Sequence, residues 1–102
     1  MGSVAPGARS FCDALLSPSP GELTFAINRR TLAGGLTVSD REVAVAMAYA
    51  FRVLKLVVEP GGAVALAALL SGRYPARGQT VAITLSGGNV DPRTYAEAIG
   101  AV

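Results

Sequence analysis

A short run of branched apolar residues at 56–58 leads, through a Glu-Pro-Gly-Gly turn, into a segment rich in alanine and leucine at 63–70. An apolar run without polar alternation is typical of a strand buried on both faces, and the segment after it favours a helix. A second β-rich run at 80–85 precedes Asp91-Pro92, which suits the cap and first residue of a helix. The order strand, helix, strand, helix predicts an α/β fold, a fragment of a parallel sheet flanked by helices.

A further helix is predicted upstream of the first strand, from the cap residue Ser39 through Leu54. Ser39 stands three residues before Glu42, which is the spacing of a capping box. Apolar residues then recur at helical spacing and predict a stripe that faces the core, made of Val43, Met47, Ala50, Phe51 and Leu54. Gly72, just after the segment 63–70, stands where a glycine commonly ends a helix.

The first part of the chain carries weaker signals. Residues 1–9 are rich in Gly, Ala, Ser and Pro and predict a flexible leader, so that residues 10–102 form the α/β portion. Residues 10–16 predict a short amphipathic helix, which the prolines that follow would end. Residues 22–32 fit either a strand or a helix, because their apolar residues alternate and also share a helical face. The helix is favoured.

The composition excludes several classes of function. A chain of 102 residues with 51% apolar side chains suits one small domain. Its net charge of +2 is scattered, so we expect no nucleic-acid partner, and no apolar run reaches the roughly 18 residues of a membrane span. A single cysteine, Cys12, and the absence of histidine rule out an internal disulfide, a Cys/His zinc site and a histidine-dependent triad. A soluble protein of the reducing cytoplasm is expected.

Polar residues and glycines follow both predicted strands. Glu59 closes the first strand, and Ser86 closes the second and is followed by Gly87 and Gly88. Ligands of parallel sheets collect at the carboxyl ends of the strands, so these residues are the candidate site. Taken alone, Ser86 could instead bond the local backbone, the glycines could form a plain tight turn, and Glu59 could pair with an arginine. No metal-binding residues are predicted.

The same segments resemble a known family. Val-Val-Glu-Pro-Gly-Gly-Ala at 57–63 and Leu-Ser-Gly-Gly-Asn-Val-Asp at 85–91 resemble two motifs of the threonine dehydratase and serine racemase family, in the same order and at a similar separation. Residues 38–43, and residues 12–16 together with 20–25, are also similar to the last third of that family. The resemblance therefore covers nearly the whole chain.

The resemblance implies a fold-type II pyridoxal-phosphate enzyme, related to the tryptophan synthase β subunit. In this family the cofactor lies between two α/β domains and is held by a lysine that has no counterpart here, since Lys55 matches no part of that motif. Ser86 matches the position whose hydroxyl faces the pyridine nitrogen of the cofactor. Gly87 and Gly88 would let the turn pass close to a flat ring, and Glu59, a costly carboxylate at the end of an apolar strand, is expected near the cofactor edge. The phosphate-binding loop and the metal-binding carboxylates of the family lie outside this sequence.

The predicted function is that of the C-terminal portion of a serine or threonine ammonia-lyase, or of a related amino acid racemase. We expect this portion to supply the pyridine-nitrogen side of the cofactor site and to be inactive alone, because the lysine is missing. Its expected partners are the remainder of the enzyme domain or a second subunit, and a small amino acid substrate, in an enzyme that is a homo-oligomer. The alternative is a non-catalytic, stand-alone α/β interaction module.

Overall fold

The computed structural model describes residues 9–102, and within this range the regular structure is helical. The predicted flexible leader, residues 1–9, lies outside the described residues except for Arg9. The α-helices of the described range are α1 Glu22–Thr31, α2 Asp40–Tyr49, α3 Val64–Leu70 and α4 Pro92–Gly100. Short 3-10 turns cover Asp13–Leu15 and Gly61–Ala63, and a π-helical turn, Ala50–Leu54, continues α2.

Helix α2 begins where its capping box predicts. The Ser39 hydroxyl accepts a hydrogen bond of 3.1 Å from the backbone N–H of Glu42. The Glu42 carboxylate in turn accepts one of 2.7 Å from the backbone N–H of Ser39. Two of the N–H groups that a helix start leaves free are thereby satisfied, so the start of α2 is fixed by its own sequence.

The predicted stripe along α2 is confirmed in its first part and wrong in its second. Val43, Met47 and Ala50 are buried, but Phe51 and Leu54 are 44% and 42% exposed. The reason is the π-helical turn, whose wider spacing of hydrogen bonds rotates the side chains away from the α-helical phase. Phe51 instead packs edge-on against Tyr95 of α4, with ring centroids 6.0 Å apart.

The core lies where α2 packs against α3 and α4. Its most enclosed residues are small, with Ala46, Ala63 and Ala67 wholly buried beside Met47. Alanine at these positions lets the helix backbones approach closely, and close packing is the main source of stability in an apolar interior. Arg52 of the π-helical turn connects this core to the C-terminal end of α4. Its guanidinium donates to the carbonyl oxygens of Ile99 and Val102 at 2.9 and 3.2 Å.

The other helices are compared here with the cap residues and glycines that predict where they begin and end. The helix favoured for residues 22–32 is confirmed as α1, although none of its residues is buried. Gly72 has the left-handed φ of +79° after α3 that a helix-ending glycine adopts. Asp91 caps α4 by accepting from the backbone N–H of Thr94 at 3.0 Å, with Pro92 as the first residue. The helix predicted at 10–16 is reduced to the 3-10 turn Asp13–Leu15.

The predicted parallel sheet is not observed, since no strand occurs within residues 9–102. Residues 56–58 and 80–85 lie outside the helices, and no backbone group of 80–85 is hydrogen-bonded to another described backbone group. Side chains from 81 to 88 nevertheless alternate between half-buried and exposed, which is the period of a strand. A strand is defined by pairing with its neighbours, and the described chain supplies no paired neighbour for 80–85.

Candidate functional site

The two segments that end in polar residues meet in the structure. The backbone N–H of Glu59 donates a hydrogen bond of 2.9 Å to the carbonyl oxygen of Gly87. Val58 and Pro60 on either side of Glu59 are buried, and the 3-10 turn Gly61–Ala63 leads from there into α3. The sequence therefore brings the end of the first apolar run against the turn that follows the second.

Three glycines make this contact close. A side-chain carbon on Gly62 would lie 3.0 Å from the backbone nitrogen and oxygen of Gly87. One on Gly88 would lie 2.6 Å from the carbonyl oxygen of Val57, and one on Gly87 would collide with the Glu59 carboxylate. At Gly88 the obstruction is backbone, so a side chain there requires the backbone to shift, whereas at Gly87 it is the end of the flexible Glu59 side chain, and at Gly62 a shift of a few tenths of an ångström would make room. Gly62 was not among the predicted site residues, although the Gly-Gly pair after Pro60 was the signal that could have pointed to it.

Ser86 directly precedes Gly87 in this contact and faces solvent. Its side chain is exposed, and its hydroxyl has no hydrogen-bond partner in the part of the chain that the structure describes. Glu59 is half-buried, and its carboxylate forms no ion pair with a described arginine or lysine. The local roles considered for these two residues, a bond to nearby backbone and a structural salt bridge, are thus not seen within residues 9–102.

The neighbouring polar residues hold the turn and the helix after it. The backbone N–H of Val90 donates to the carbonyl oxygen of Gly88 at 3.0 Å, which closes a tight turn around Asn89. Asp91 is occupied as the cap of α4, where its carboxylate also accepts from the hydroxyl of Thr94 at 3.3 Å. These bonds engage residues 88–94 and none of them involves the Ser86 hydroxyl.

The lone lysine and the lone cysteine lie in other settings. Lys55 ends the π-helical turn in the left-handed conformation, and its ammonium donates to the carbonyl oxygen of Arg52 at 2.8 Å. Cys12 is 5% exposed, and burial raises the pKa of its thiol above the ordinary value. Neither side chain belongs to the contact between Glu59 and Gly87.

An apolar groove of about 690 Å³ lies elsewhere on the molecule. It is lined by residues of α3, by Tyr74, and by residues of the segments 33–38 and 81–83. None of the predicted site residues lines it. Among the described residues there is no cluster of three or more His, Cys, Asp or Glu side chains placed to hold a metal, and no helix there is long and apolar enough to traverse a bilayer.

Comparison with known proteins points to one family. A family profile described as "Pyridoxal-phosphate dependent enzyme" matches residues 2–87. The L-threo-3-hydroxyaspartate ammonia-lyase of a Pseudomonas species is 45% identical over 76 residues, which are 74% of this chain and 24% of that protein.

Solved structures agree with this match. The threonine deaminase of T.th. superposes with a TM-score of 0.78 at 42% identity, over 87% of this chain and 32% of that one. Maize serine racemase superposes with a TM-score of 0.79 at 32% identity, over 96% of this chain and 31% of that one. The chain thus spans at most about a third of the length of any of these proteins.

Proposed function

This chain belongs to the family of pyridoxal-phosphate-dependent enzymes, and we propose that it is the C-terminal portion of a serine or threonine ammonia-lyase or of a related amino acid racemase. In this proposal the chain supplies the side of the cofactor site that faces the pyridine nitrogen. The observation that carries it is the contact of Glu59 with Gly87, which leaves the Ser86 hydroxyl exposed and unbonded among the described residues.

The residues present fit one edge of the cofactor. The turn at 86–88 presents a free hydroxyl followed by two residues without side chains, which leaves room for a flat ring to approach the backbone. Glu59 holds that turn through its backbone, and its half-buried carboxylate lies against Gly87. The anchoring lysine is not supplied by this contact, since Lys55 donates to the Arg52 carbonyl oxygen and lies outside it.

Bound pyridoxal phosphate would supply an electron sink for the α-carbon of an amino acid. Ser86 would hold the ring nitrogen by a hydrogen bond from a neutral hydroxyl, which unlike a carboxylate does not keep that nitrogen protonated. A weaker sink suits loss of water from a β-hydroxy amino acid, because the leaving group departs promptly. The names of the relatives support this substrate class, since hydroxyaspartate, threonine and serine all carry a β-hydroxyl.

The proposed setting of this portion is a parallel sheet that other polypeptide completes. The solved relatives are fold-type II α/β enzymes, and the strand-like alternation at 81–88 supports this arrangement. The partners would be the remainder of the enzyme domain or a second subunit, within a homo-oligomer. A reducing cytoplasm is the proposed location, to which the free, buried thiol of Cys12 is suited.

Reconstitution tests the function. We expect the purified chain mixed with pyridoxal phosphate to gain no visible absorbance band and no borohydride-reducible lysine adduct. Mixed with the T.th. threonine deaminase polypeptide from which the matched 32% has been deleted, it should restore ammonia release from threonine or serine, or produce D-serine. A reducible adduct on Lys55 of the chain alone would contradict the proposal. Binding to the deleted polypeptide without cofactor or activity would favour the interaction module instead.

A further inference from the structure

Arg52 connects the two chain segments that carry the candidate site. One terminal nitrogen of its guanidinium donates to the carbonyl oxygen of Ile99 at 2.9 Å, and the other donates to that of Val102 at 3.2 Å. The last carbonyl groups of a helix have no partner within it, and a cation near them also offsets the helix dipole. The end of α4 is thereby fastened to the π-helical turn that contains Arg52.

Each segment runs from this connection to one part of the candidate site. The π-helical turn leads through the apolar run 56–58 to Glu59, and Pro92, the first residue of α4, follows Gly87 by five positions. The backbone bond of 2.9 Å between Glu59 and Gly87 joins the two segments again. The segments are therefore tied at both ends, by the Arg52 side chain at one and by the backbone of the site at the other.

The other contacts that hold α4 are apolar and set its direction only weakly. Ala98 is the one residue of α4 that is buried, and the ring of Tyr95 meets that of Phe51 edge-on with centroids 6.0 Å apart. In the part of the chain that the structure describes, the bond from Arg52 to Ile99 is the one hydrogen bond between α4 and a residue outside 87–102. Arg52 thus supplies the directed attachment of this helix.

The exposure of Arg52 separates its role from that of the core. Its hydrogen bonds form in contact with water, so they add little to the free energy of unfolding. That free energy comes instead from buried packing around residues such as Ala46 and Met47. Arg52 determines the direction of α4, and with it the position of the turn that precedes this helix.

We infer that Arg52 is a positioning residue for the turn that contains Ser86 and Gly87. It acts through α4, whose direction determines where the Ser86 hydroxyl lies. The inference rests on the proposed function, because that function assigns this hydroxyl to the ring nitrogen of the cofactor. Arginine suits the place, since its planar fork reaches two carbonyl oxygens in a fixed geometry, whereas the compact ammonium of lysine does not.

Hydrogen exchange of the full chain alone tests the first step of this inference. Arg52→Met keeps the apolar stem of the side chain and removes its donors. We expect the Glu59 amide, which is bonded to Gly87, to exchange roughly three- to tenfold faster, while the amide of Met47 in the core keeps its rate. Arg52→Lys should lie between Arg52→Met and the parent chain. The control Arg77→Met removes an exposed arginine elsewhere and should leave both rates unchanged.

The cofactor spectrum tests the second step, after reconstitution with the T.th. threonine deaminase polypeptide that lacks the matched region. We expect Arg52→Met to shift the absorbance maximum in the same direction as Ser86→Ala does, and Arg52→Lys to restore part of the difference. Added to Ser86→Ala, Arg52→Met should produce no further shift, because the hydroxyl through which it acts is gone. A merely structural effect would add to that of Ser86→Ala.

The two steps fail in distinguishable ways. An unchanged exchange rate of the Glu59 amide in Arg52→Met overturns the inference, and so does equal acceleration at Met47, which would mean a general loss of stability. A full additional shift in the double variant overturns it while the proposed function stands. Failure to reconstitute an enzyme counts against the proposed function alone, since the exchange rates still decide whether Arg52 holds the turn. If Arg52→Met does not fold, Arg52→Lys decides by the same measurements.

Discussion

The backbone N–H of Glu59 donates a 2.9 Å hydrogen bond to the carbonyl oxygen of Gly87. This bond joins residues that are 28 positions apart and that follow the two apolar runs of the chain. It also places the carboxylate of one motif against the glycine turn of the other.

Alanine should cost more stability at Gly88 than at Gly87, because the added side chain meets backbone at the first position and a flexible side chain at the second. Gly88→Ala meets the backbone of Val57, which cannot move away freely, so we expect a cost of roughly 1–3 kcal/mol and faster exchange of the Glu59 amide. Gly87→Ala meets only the end of the flexible Glu59 side chain and should have a smaller effect.

A double-variant cycle checks this interpretation. In the Glu59→Ala background, Gly87→Ala should cost almost no stability, since the colliding carboxylate is gone. The same addition should leave the effect of Gly88→Ala unchanged. Equal rescue of both variants would show that the two glycines do not differ in the way that the distances indicate.

Ser86 should matter for turnover in the reconstituted enzyme and little for the fold. Ser86→Ala would remove the proposed hydrogen bond to the ring nitrogen, worth about 0.5–1.5 kcal/mol, so kcat should fall by roughly 2- to 13-fold while Ser86→Thr retains activity. The cofactor absorbance maximum should shift in the alanine variant only. Ser71→Ala, at the end of α3, serves as the control for loss of an exposed hydroxyl. An unshifted spectrum would argue against contact of Ser86 with the ring.

The start of α2 should respond to acid through Glu42. Hydrogen bonding from the Ser39 backbone and from the Arg73 side chain, together with the charge of Arg73, lowers the pKa of Glu42 below its ordinary value of 4.5. Because the folded-state pKa is the lower one, the carboxylate stabilises the fold above pH 4.5, and this contribution is lost as the pH falls through the folded-state pKa.

Glu42→Gln tests that pH dependence. Glutamine can still accept from the Ser39 backbone, so α2 should keep its start, but the acid-dependent increase in amide exchange over its first turn should disappear. The exposed residue Glu97 on α4 provides the comparison, since Glu97→Gln should leave the acid response of α2 intact. An identical acid response in both variants would rule out the assigned role of Glu42.

Cys12 should react slowly with thiol reagents in the folded chain. It is buried, and burial raises the pKa of its thiol, so both access and the thiolate fraction are low at neutral pH. Reaction should accelerate strongly in denaturant, and the pH at which the rate levels off should be higher in the folded chain than in the unfolded one. Rapid labelling under native conditions would indicate that the segment around residue 12 opens readily.

The helices were predictable because their signals are local. Ser39 with Glu42, Asp91 with Pro92, and Gly72 each act within a few residues, and the structure has a helix start or end at each. The phase change after Tyr49 was not predictable, since nothing in the spacing of apolar residues distinguishes a π-helical turn from an α-helical one. Phe51 and Leu54 were therefore placed on the wrong face.

The predicted sheet was not observed, whereas the predicted meeting of the two segment ends was. The segment 80–85 keeps the alternation of a strand, but its hydrogen bonds need neighbours that the described chain does not pair with it. The meeting of Glu59 with Gly87 was anticipated from the rule that parallel strands end at one edge. The close approach of Gly62 to Gly87 was missed, because a close backbone approach cannot be read from a turn motif.

The π-helical turn at Ala50–Leu54 should tolerate the deletion of one residue better than a regular α-helix does. A turn of this kind accommodates one residue more than an α-helical turn, so a single deletion within it would restore ordinary α-helix. That repair would leave the downstream residues close to their present direction, because the π-helical turn already holds the one residue that the α-helical turn would lose. Loss of one residue from Ala50–Leu54 should therefore keep Glu59 within reach of Gly87, whereas loss of one residue from α2 itself would turn the downstream chain by about 100° around the helix axis.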